Sequence, residues 1–167
     1  MRPINELIVE LLKFSDEIFE VFPPVEKNDL QQFEIEHNLE LPADYKTLLG
    51  ITDGFSLMGT EVYGISRQNK MSLAQIYQIE HYEVAVAQYD HLVPFNNDGR
   101  GNFYCFDTAA LTEDGLSCTV VFWVSNYHYS LDDQPEKTHD SFTNWVQECV
   151  IEWTLEDYDY SGNALNT

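Results

Sequence analysis

The stretch from Leu92 to Asp107 constrains the fold of this chain more than any other, because its pattern is typical of a β-hairpin. Strand-forming residues at 92–95 lead into 96–102, which is rich in Asn, Asp and Gly, residues that tolerate a left-handed backbone. An aromatic, extended run resumes at 103–106. The sequence therefore predicts two antiparallel strands joined by a tight turn, and the rest of the fold must accommodate them.

Two further segments predict antiparallel strands. Phe55–Met58 and Glu61–Ile65 flank Gly59-Thr60, so we expect a second hairpin there. Leu116–Val124 is the most β-prone run in the chain and follows a turn at 112–115. Because it is apolar almost throughout, we expect it to be a central strand covered on both faces.

The first half of the chain carries three predicted helices. Apolar residues recur at helical spacing from Ile4 to Ile18, and Pro23-Pro24 should end that helix. Asn28 is a candidate N-cap for a short helix that runs toward Asn38. Pro42 suits the first position of a third helix, with Gly54 as its stop.

The second half adds a helix from Leu73 to Tyr77 behind a Ser72 cap, and a closing helix behind a Ser141 cap. Between the last strand and the closing helix, 126–137 is polar and predicts a surface loop. The fold class is therefore α+β, with a single antiparallel-rich sheet packed by N-terminal helices and one C-terminal helix. We expect one domain over residues 1–155 and a flexible acidic tail over 156–167.

The charge balance restricts the partners of the protein. It has 29 acidic residues against 8 lysines and arginines, a net charge of −21, whose field repels phosphate backbones and anionic lipids and attracts basic surfaces. We therefore expect neither direct nucleic-acid binding nor membrane binding. Two interpretations stay open: the acidity only maintains solubility, or it serves a specific basic protein partner.

The cysteine count and the N-terminus indicate where the protein works. Cys105, Cys118 and Cys149 form no Cys-x-x-Cys pair, and an odd number leaves at least one thiol free, which favours a reducing compartment. The N-terminus has no long apolar leader, and no window is apolar enough for a membrane span. We expect a cytoplasmic protein.

The sequence contains no constellation that indicates catalysis or a cofactor. The turn at 96–102 lacks the acidic spacing and distal glutamate of a calcium loop, so its oxygens are interpreted as turn-forming. None of the five histidines lies at metal-ligand spacing from another or from a cysteine. No serine has the setting of a hydrolase nucleophile. We therefore expect a non-enzymatic binding protein without cofactor or metal.

Exposed acidic residues and one tryptophan are the candidate contacts for a partner. Helical and strand spacing favour core positions for Trp123 and Trp145, whereas Trp153 lies among acids near the chain end and could anchor a partner. We expect the acidic turns, if they bind, to act together as loops at one end of the sheet. The candidate partner-binding residues are Asp98, Glu113, Asp114, Asp132, Asp133, Trp153, Glu156, Asp157 and Asp159.

A series of motifs in fixed order resembles the SMI1/KNR4 family, also called the SUKH superfamily. Each motif is weak alone, but the ordered set spans nearly the whole chain, and it departs from the family in having Asp53-Gly54 where Asn-Gly is usual. The motifs are Leu41-Pro42, Asp44-Tyr45-Lys46, Asp53-Gly54, Tyr63-Gly64-Ile65, Leu92-Val93-Pro94-Phe95, the run from Asp98 to Asp107, Val121-Phe122-Trp123 and Ser141-Phe142 with Trp145.

The resemblance implies an α+β fold and a role in binding another protein. Bacterial members of the family are immunity proteins that neutralise a cognate polymorphic toxin, often a nuclease, and the compact single domain here resembles that type. Fungal members instead regulate cell-wall synthesis and signalling, which implies the alternative of a regulatory or scaffold domain for an endogenous protein. The acidity independently favours the first role, because nucleases present basic clefts.

Overall fold

The computed structural model describes residues 2–65 and 71–165, and its secondary structure is mixed α and β. The described residues form five helices and seven strands, in agreement with the predicted α+β class. The helices are α1 Ile4–Leu11, α2 Lys27–His37, α3 Ala43–Leu49, α4 Leu73–Gln78, which continues into a π-helical turn at Ile79–Glu83, and α5, which comprises α-helical Phe142–Trp145, π-helical Val146–Glu152 and α-helical Trp153–Asp157. The strands are β1 Phe19–Val21, β2 Phe55–Leu57, β3 Thr60–Val62, β4 Leu92–Asn97, β5 Phe103–Leu111, β6 Cys118–Trp123 and β7 Glu136–His139.

The larger sheet is built on the predicted hairpin. β4 and β5 pair in antiparallel register, with Leu92 opposite Asp107, and the sheet order is β4-β5-β6-β7. β6 is an inner strand, as predicted, although Thr119 and Phe122 are only half-buried. Within the predicted loop 126–137, the last two residues belong instead to β7, which extends to His139 and pairs with β6.

A second, three-stranded sheet has the order β1-β2-β3, so the expectation of a single sheet was wrong. The predicted hairpin of β2 and β3 is confirmed, and its turn uses positive φ angles at Met58 and Gly59. The two sheets are joined by few bonds: the Tyr63 amide donates to the Phe95 carbonyl at 2.9 Å, and Asn96 Nδ2 donates to the Glu61 carbonyl at 2.6 Å. The pairing of β4 is irregular at the same place, between Pro94 and Asn96.

The first helix is shorter than its apolar pattern predicts. It ends at Leu11, and the following residues turn at Ser15, whose carbonyl accepts the amides of Ile18 and Phe19. Phe19 then begins β1, which pairs with β2 and packs its ring 5.6 Å from that of Phe55. Tertiary pairing has therefore overridden the helical periodicity of the sequence. The other early helices start within two residues of the predicted positions, but α3 ends at Leu49, before Gly54.

Aromatic side chains fill the core between the larger sheet and the helices. Phe95 stacks on Phe106 at 4.2 Å and meets Trp145 edge-on at 4.9 Å, while Tyr45 of α3 lies 4.8 Å from Phe106. Trp123 and Trp145 are both buried, as predicted. Edge-to-face and offset aromatic pairs add stabilisation beyond their buried area, so this cluster fixes α3 and α5 on the sheet.

The predicted caps of the two later helices are present. Ser72 and Gln75 form a reciprocal capping box at the start of α4, and Ser141 Oγ accepts the Asn144 amide at the start of α5. These bonds satisfy amides that otherwise lack a partner in the first turn of a helix.

Among the described residues, no helix combines the length and the apolar character that crossing a bilayer requires.

The π-helical part of α5 turns Trp153 away from the core. Val146 and Trp153 are seven residues apart, and in an α-helix two turns take about seven residues, so both would share one face. Over Val146–Glu152 the hydrogen bonds run from residue i to i+5, so each turn contains more residues. As a result, Val146 is buried whereas Trp153 is 62% exposed.

The end of the described chain folds back onto α1. Tyr160 packs its ring 4.8 Å from Phe14, its hydroxyl donates to Glu10 at 2.7 Å, and its carbonyl accepts the Ser15 amide at 2.8 Å. The segment that was predicted as a flexible tail is thus in contact with the first helix as far as the structure describes it. The domain boundary after residue 155 stays a prediction.

Candidate partner-binding surface

Neither a metal-binding cluster nor an ionised thiol is found among the described residues. None of their histidines, cysteines and acidic residues form a group of three that could hold a metal ion. Burial raises the pKa of Cys149 to about 11, and it raises the pKa of Cys105 and Cys118 well above the ordinary value. The three thiols therefore stay protonated at neutral pH, and a protonated thiol is a weak nucleophile.

The buried acidic residues of the recognised motifs have structural roles. Asp44 Oδ2 accepts bonds from Ser117 Oγ at 2.6 Å and Thr143 Oγ1 at 2.9 Å, which ties α3 to β6 and α5. Burial raises the pKa of Asp44 although these hydrogen bonds oppose the shift. Asp53 Oδ1 accepts the Ile65 amide at 2.6 Å. An Asn oxygen could accept the same bond, so the Asp53-Gly54 departure preserves the contact.

Asp98 is held by its own hairpin turn. Its Oδ1 accepts the amides of Arg100 at 2.7 Å and Asn102 at 2.9 Å, and its Oδ2 accepts Asn102 Nδ2 at 2.9 Å. Burial of the carboxylate is outweighed by these bonds, which together lower the pKa of Asp98. Asp98 therefore stabilises the turn, and its carboxylate is only partly available to a partner.

We expected the acidic turns to lie together at one end of the sheet, but the structure places them at two opposite ends. Asp98 shares its end with the loop of Asp132 and Asp133, because Ser125 of that loop bonds to the hairpin turn at Gly101 and Asn102. Glu113 and Asp114 lie in the β5–β6 turn at the opposite end, near the start of α3. The alternation of strand direction in an antiparallel sheet requires this separation.

Both acidic ends of the sheet combine carboxylates that accept hydrogen bonds with carboxylates that are exposed. Asp114 Oδ1 accepts Thr112 Oγ1 at 2.6 Å and the Leu116 amide at 3.0 Å, and Asp133 accepts the Tyr127 hydroxyl. Glu113 and Asp132 are exposed. Each end therefore contributes a mixture of turn-forming and outward-facing carboxylates.

The outer face of α5 carries a groove of about 420 Å³ around Trp153. Glu148, Glu152 and Glu156 follow one another at intervals of four residues, which places them along one side of the helix. The remaining residues that line the groove are Gln147 and Cys149. Among the candidate residues, Trp153 and Glu156 are thus brought together, and Glu148 and Glu152, which were not among those candidates, join them.

Charge in this groove is compensated only weakly. Glu152 accepts Gln147 Nε2 at 2.7 Å, and Glu148 Oε2 lies 3.4 Å from His139 Nε2. Burial lowers the pKa of His139 although Glu148 opposes the shift, so the imidazole is neutral at neutral pH. Within residues 2–65 and 71–165, no lysine or arginine forms an ion pair with Glu148, Glu152 or Glu156.

The structure also brings together residues that the sequence kept apart. Cys149 Sγ lies 3.6 Å from His139 Nε2, although no histidine lies at metal-ligand spacing from a cysteine in the sequence. His139 ends β7, which packs beside α5, and β7 was not predicted. Had β7 been predicted, its end at His139 beside the closing helix would have indicated that His139 and Cys149 are close.

Asp157 and Asp159 differ from Glu156 in their surroundings. Asp159 Oδ1 accepts the amides of Ser161 and Asn163, both at 2.9 Å, and its Oδ2 accepts Asn163 Nδ2. The hydrogen bond from the Asn163 side chain is the main cause of its lowered pKa. Asp157 is exposed, and its carbonyl accepts the Leu165 amide at 2.8 Å. Asp159 therefore organises the chain end, while Asp157 is free to extend the acidic surface.

A second and larger groove, of about 1060 Å³, lies between α2 and the start of β4. His37 and Tyr77 form ring contacts on its wall at 4.3 Å, and Tyr82 is largely exposed. Glu34 on the same wall is paired with Lys46 at 3.1 Å. This groove was not foreseen from the sequence, since its lining comes from segments far apart in the chain.

Known proteins resemble this chain in architecture and in sequence. The crystal structure of a protein from Pseudomonas syringae pv. tomato superposes with a TM-score of 0.65 at 17% sequence identity, covering 89% of this chain and 98% of the other, which shows a shared fold. No curated protein matches the sequence significantly. The model of the SMI1 / KNR4 family (SUKH-1) matches residues 24–148, which include the Asp44, Asp53 and hairpin motifs described above. The chain therefore belongs to the SMI1/KNR4 family, SUKH-1.

Proposed function

We propose that this protein is a bacterial-type immunity protein of the cytoplasm, which binds and neutralises a cognate, basic toxin domain of the nuclease type. The SMI1/KNR4 family includes immunity proteins, and its members generally bind protein partners and are generally non-enzymatic. The observation that carries the proposal is the net charge of −21, most of which lies outside the core.

The acidity is available to a partner because little of it is consumed internally. Among the described residues, the buried carboxylates are Asp44, Asp53 and Glu80. Across residues 2–65 and 71–165, the lysines and arginines that form ion pairs are Arg2, Lys46 and Lys137. A surface of this kind accelerates the encounter with a basic cleft and opposes binding to nucleic acid, so it can compete with the toxin's own substrate.

Binding alone is sufficient for neutralisation, so no catalytic step is required. Among the described residues, the thiols are protonated and no metal-binding trio occurs. We propose that Trp153 with Glu156 and Asp157 forms the centre of the contact surface. The acidic ends of the sheet, with Asp98, Glu113, Asp114, Asp132 and Asp133, steer the approach, and Asp159 supports the surface from behind.

Affinity capture tests this function. The tagged protein is incubated with a lysate of its native cell, washed at low and then high salt, and the retained proteins are identified by mass spectrometry. We expect a basic protein that elutes with salt, that kills a sensitive host when expressed alone, and that is harmless when co-expressed with this chain. Recovery of only non-toxic envelope or signalling proteins would contradict immunity and favour the regulatory role of the fungal relatives.

A further inference from the structure

We propose that the groove on the outer face of α5 receives an arginine side chain of the basic partner, with the guanidinium stacked on Trp153 and bound by Glu152 and Glu156. The inference rests on the proposed function, because it specifies the chemistry by which a basic protein would be recognised. It goes further by fixing one contact point on the surface and one residue type in the partner.

The exposure of Trp153 is the first support. Trp123 and Trp145 are buried, and Trp153 is the exposed tryptophan of this chain, 62% accessible on a helix whose other large apolar residues face the core. An indole is the best aromatic acceptor for a cation, and tryptophan is enriched at the centres of protein interfaces. The π-helical segment that precedes Trp153 is what aims it outward.

The charges along the same side of the helix are the second support. Carboxylates about one turn apart on the same side of a helix repel one another and destabilise it, the reverse of an oppositely charged pair. Glu148, Glu152 and Glu156 keep this arrangement without a lysine or arginine partner among the described residues. A cation supplied by another protein would relieve that repulsion.

The geometry favours arginine over lysine. A guanidinium is planar, stacks on an aromatic face and can bond two carboxylates through its fork, whereas an ammonium is a compact, strongly hydrated point charge. The groove of about 420 Å³ can hold one such side chain, and its lining includes the protonated Cys149, whose Sγ lies 3.6 Å from Nε2 of the neutral His139. None of the described residues that line the groove is a lysine, an arginine or a histidine, so no positive group among them opposes entry. A second copy of this chain is excluded as occupant, since it carries the same net charge of −21.

Short peptides are the first probe. A hexapeptide of alternating arginine and glycine is compared with its lysine–glycine counterpart by calorimetry, and the tryptophan emission is followed in parallel. Because Trp123 and Trp145 are buried, a change in emission reports on Trp153. We expect the arginine peptide to bind more tightly and to alter the emission, and equal binding of the two peptides would overturn the stacking geometry.

Two variants and a matched control distinguish binding in the groove from a general attraction to the acidic surface. Trp153→Leu should weaken the arginine peptide about two- to fivefold, the size of an exposed cation–π interaction. Glu152→Gln/Glu156→Gln should weaken it at least as much. Glu17→Gln/Glu20→Gln removes the same charge from exposed residues that neither line the groove nor belong to the proposed contact surface, and it should leave binding within error. An equal effect of this control, or no effect of Trp153→Leu, would overturn the proposal.

Capture from the lysate with the same variants distinguishes this inference from the proposed function. If wild-type protein and Trp153→Leu retain the basic partner equally through the salt wash, the groove is not the contact point and the inference falls, while immunity stands. If the wild type captures no basic protein but the peptide results hold, the groove is an arginine site and the proposed function falls. Reduced retention by Trp153→Leu alone supports both.

Discussion

At the scale of single residues, the motifs that define this family fix backbone contacts. Gly64 lies so close to Asp53 that an added Cβ would be 2.2 Å from both the carbonyl and Oδ1 of Asp53. The same Asp53 oxygen accepts the amide of Ile65. The Tyr63-Gly64-Ile65 motif therefore joins the region after α3 to β3. Glycine is required at position 64 because the close packing leaves no room for a Cβ.

We predict that Gly64→Ala destabilises the protein by about 1 to 3 kcal/mol, the usual cost of forcing extra atoms into a packed site. Gly50→Ala is the matched control, because Gly50 has an ordinary helical φ of −69° and an added Cβ would meet no atom closer than 3.4 Å. Urea unfolding measures both. A Gly64→Ala variant as stable as Gly50→Ala would contradict the close approach.

At the scale of elements, the hairpins and helix caps could be predicted because their signals are local. The β4–β5 turn, Ser72 and Ser141 act within a few residues of their own position. β1 and β7 were missed because strands of three or four residues are stabilised by partners distant in sequence. The π-helical turns of α5 also have no local signal here, so the glutamate row beside Trp153 became visible only in the structure.

The docking of the chain end on α1 is testable at this scale. Tyr160→Ala removes the ring contact with Phe14 and the bond to Glu10, and we expect it to lower the free energy of unfolding by about 1 to 3 kcal/mol. Tyr160→Phe keeps the ring and should cost about 1 kcal/mol, the worth of one hydrogen bond.

Tyr82→Ala provides the control for this pair of variants, since Tyr82 is 65% exposed and should change the unfolding free energy by less than about 0.5 kcal/mol. Denaturant titration of all three variants under one condition gives the comparison. A Tyr160→Ala variant indistinguishable from Tyr82→Ala would show that the segment after α5 contributes nothing to the stability of the domain.

At the scale of the whole molecule, an excess of carboxylates sets the response to pH. Burial raises the pKa of Asp44 and Glu80 in the folded state, so folding favours their protonated forms. The stability that protonation contributes is fully present below their unfolded pKa values and is lost as pH rises through the folded ones. Mutual repulsion of the net charge of −21 acts in the same direction.

We therefore predict that Asp44 and Glu80 contribute stability as pH is lowered from 7 toward the ordinary carboxyl range of about pH 4. Burial lowers the pKa values of His37, His81 and His139, so these residues oppose the trend because the unfolded chain takes up their protons first. At lower pH the trend should reverse, because hydrogen-bonded groups such as Asp98 and Asp159 have lowered pKa values and lose their stabilising bonds when protonated. Thermal unfolding across this range measures the curve.

Glu80→Gln isolates the contribution of one buried carboxyl group, and the stability of the wild type relative to this variant should rise as pH falls. A difference between the two proteins that does not change with pH would contradict the raised pKa of Glu80.

The association rate with the captured basic partner, measured by stopped flow over a range of salt concentrations, tests the central claim most directly. The account predicts a rate that falls steeply as salt screens the acidic surface, and a dissociation rate that changes much less. It also predicts that Glu113→Gln/Asp132→Asn lowers the association rate and its salt dependence, while Trp153→Leu mainly raises the dissociation rate. An association rate that is independent of salt would contradict recognition through charge.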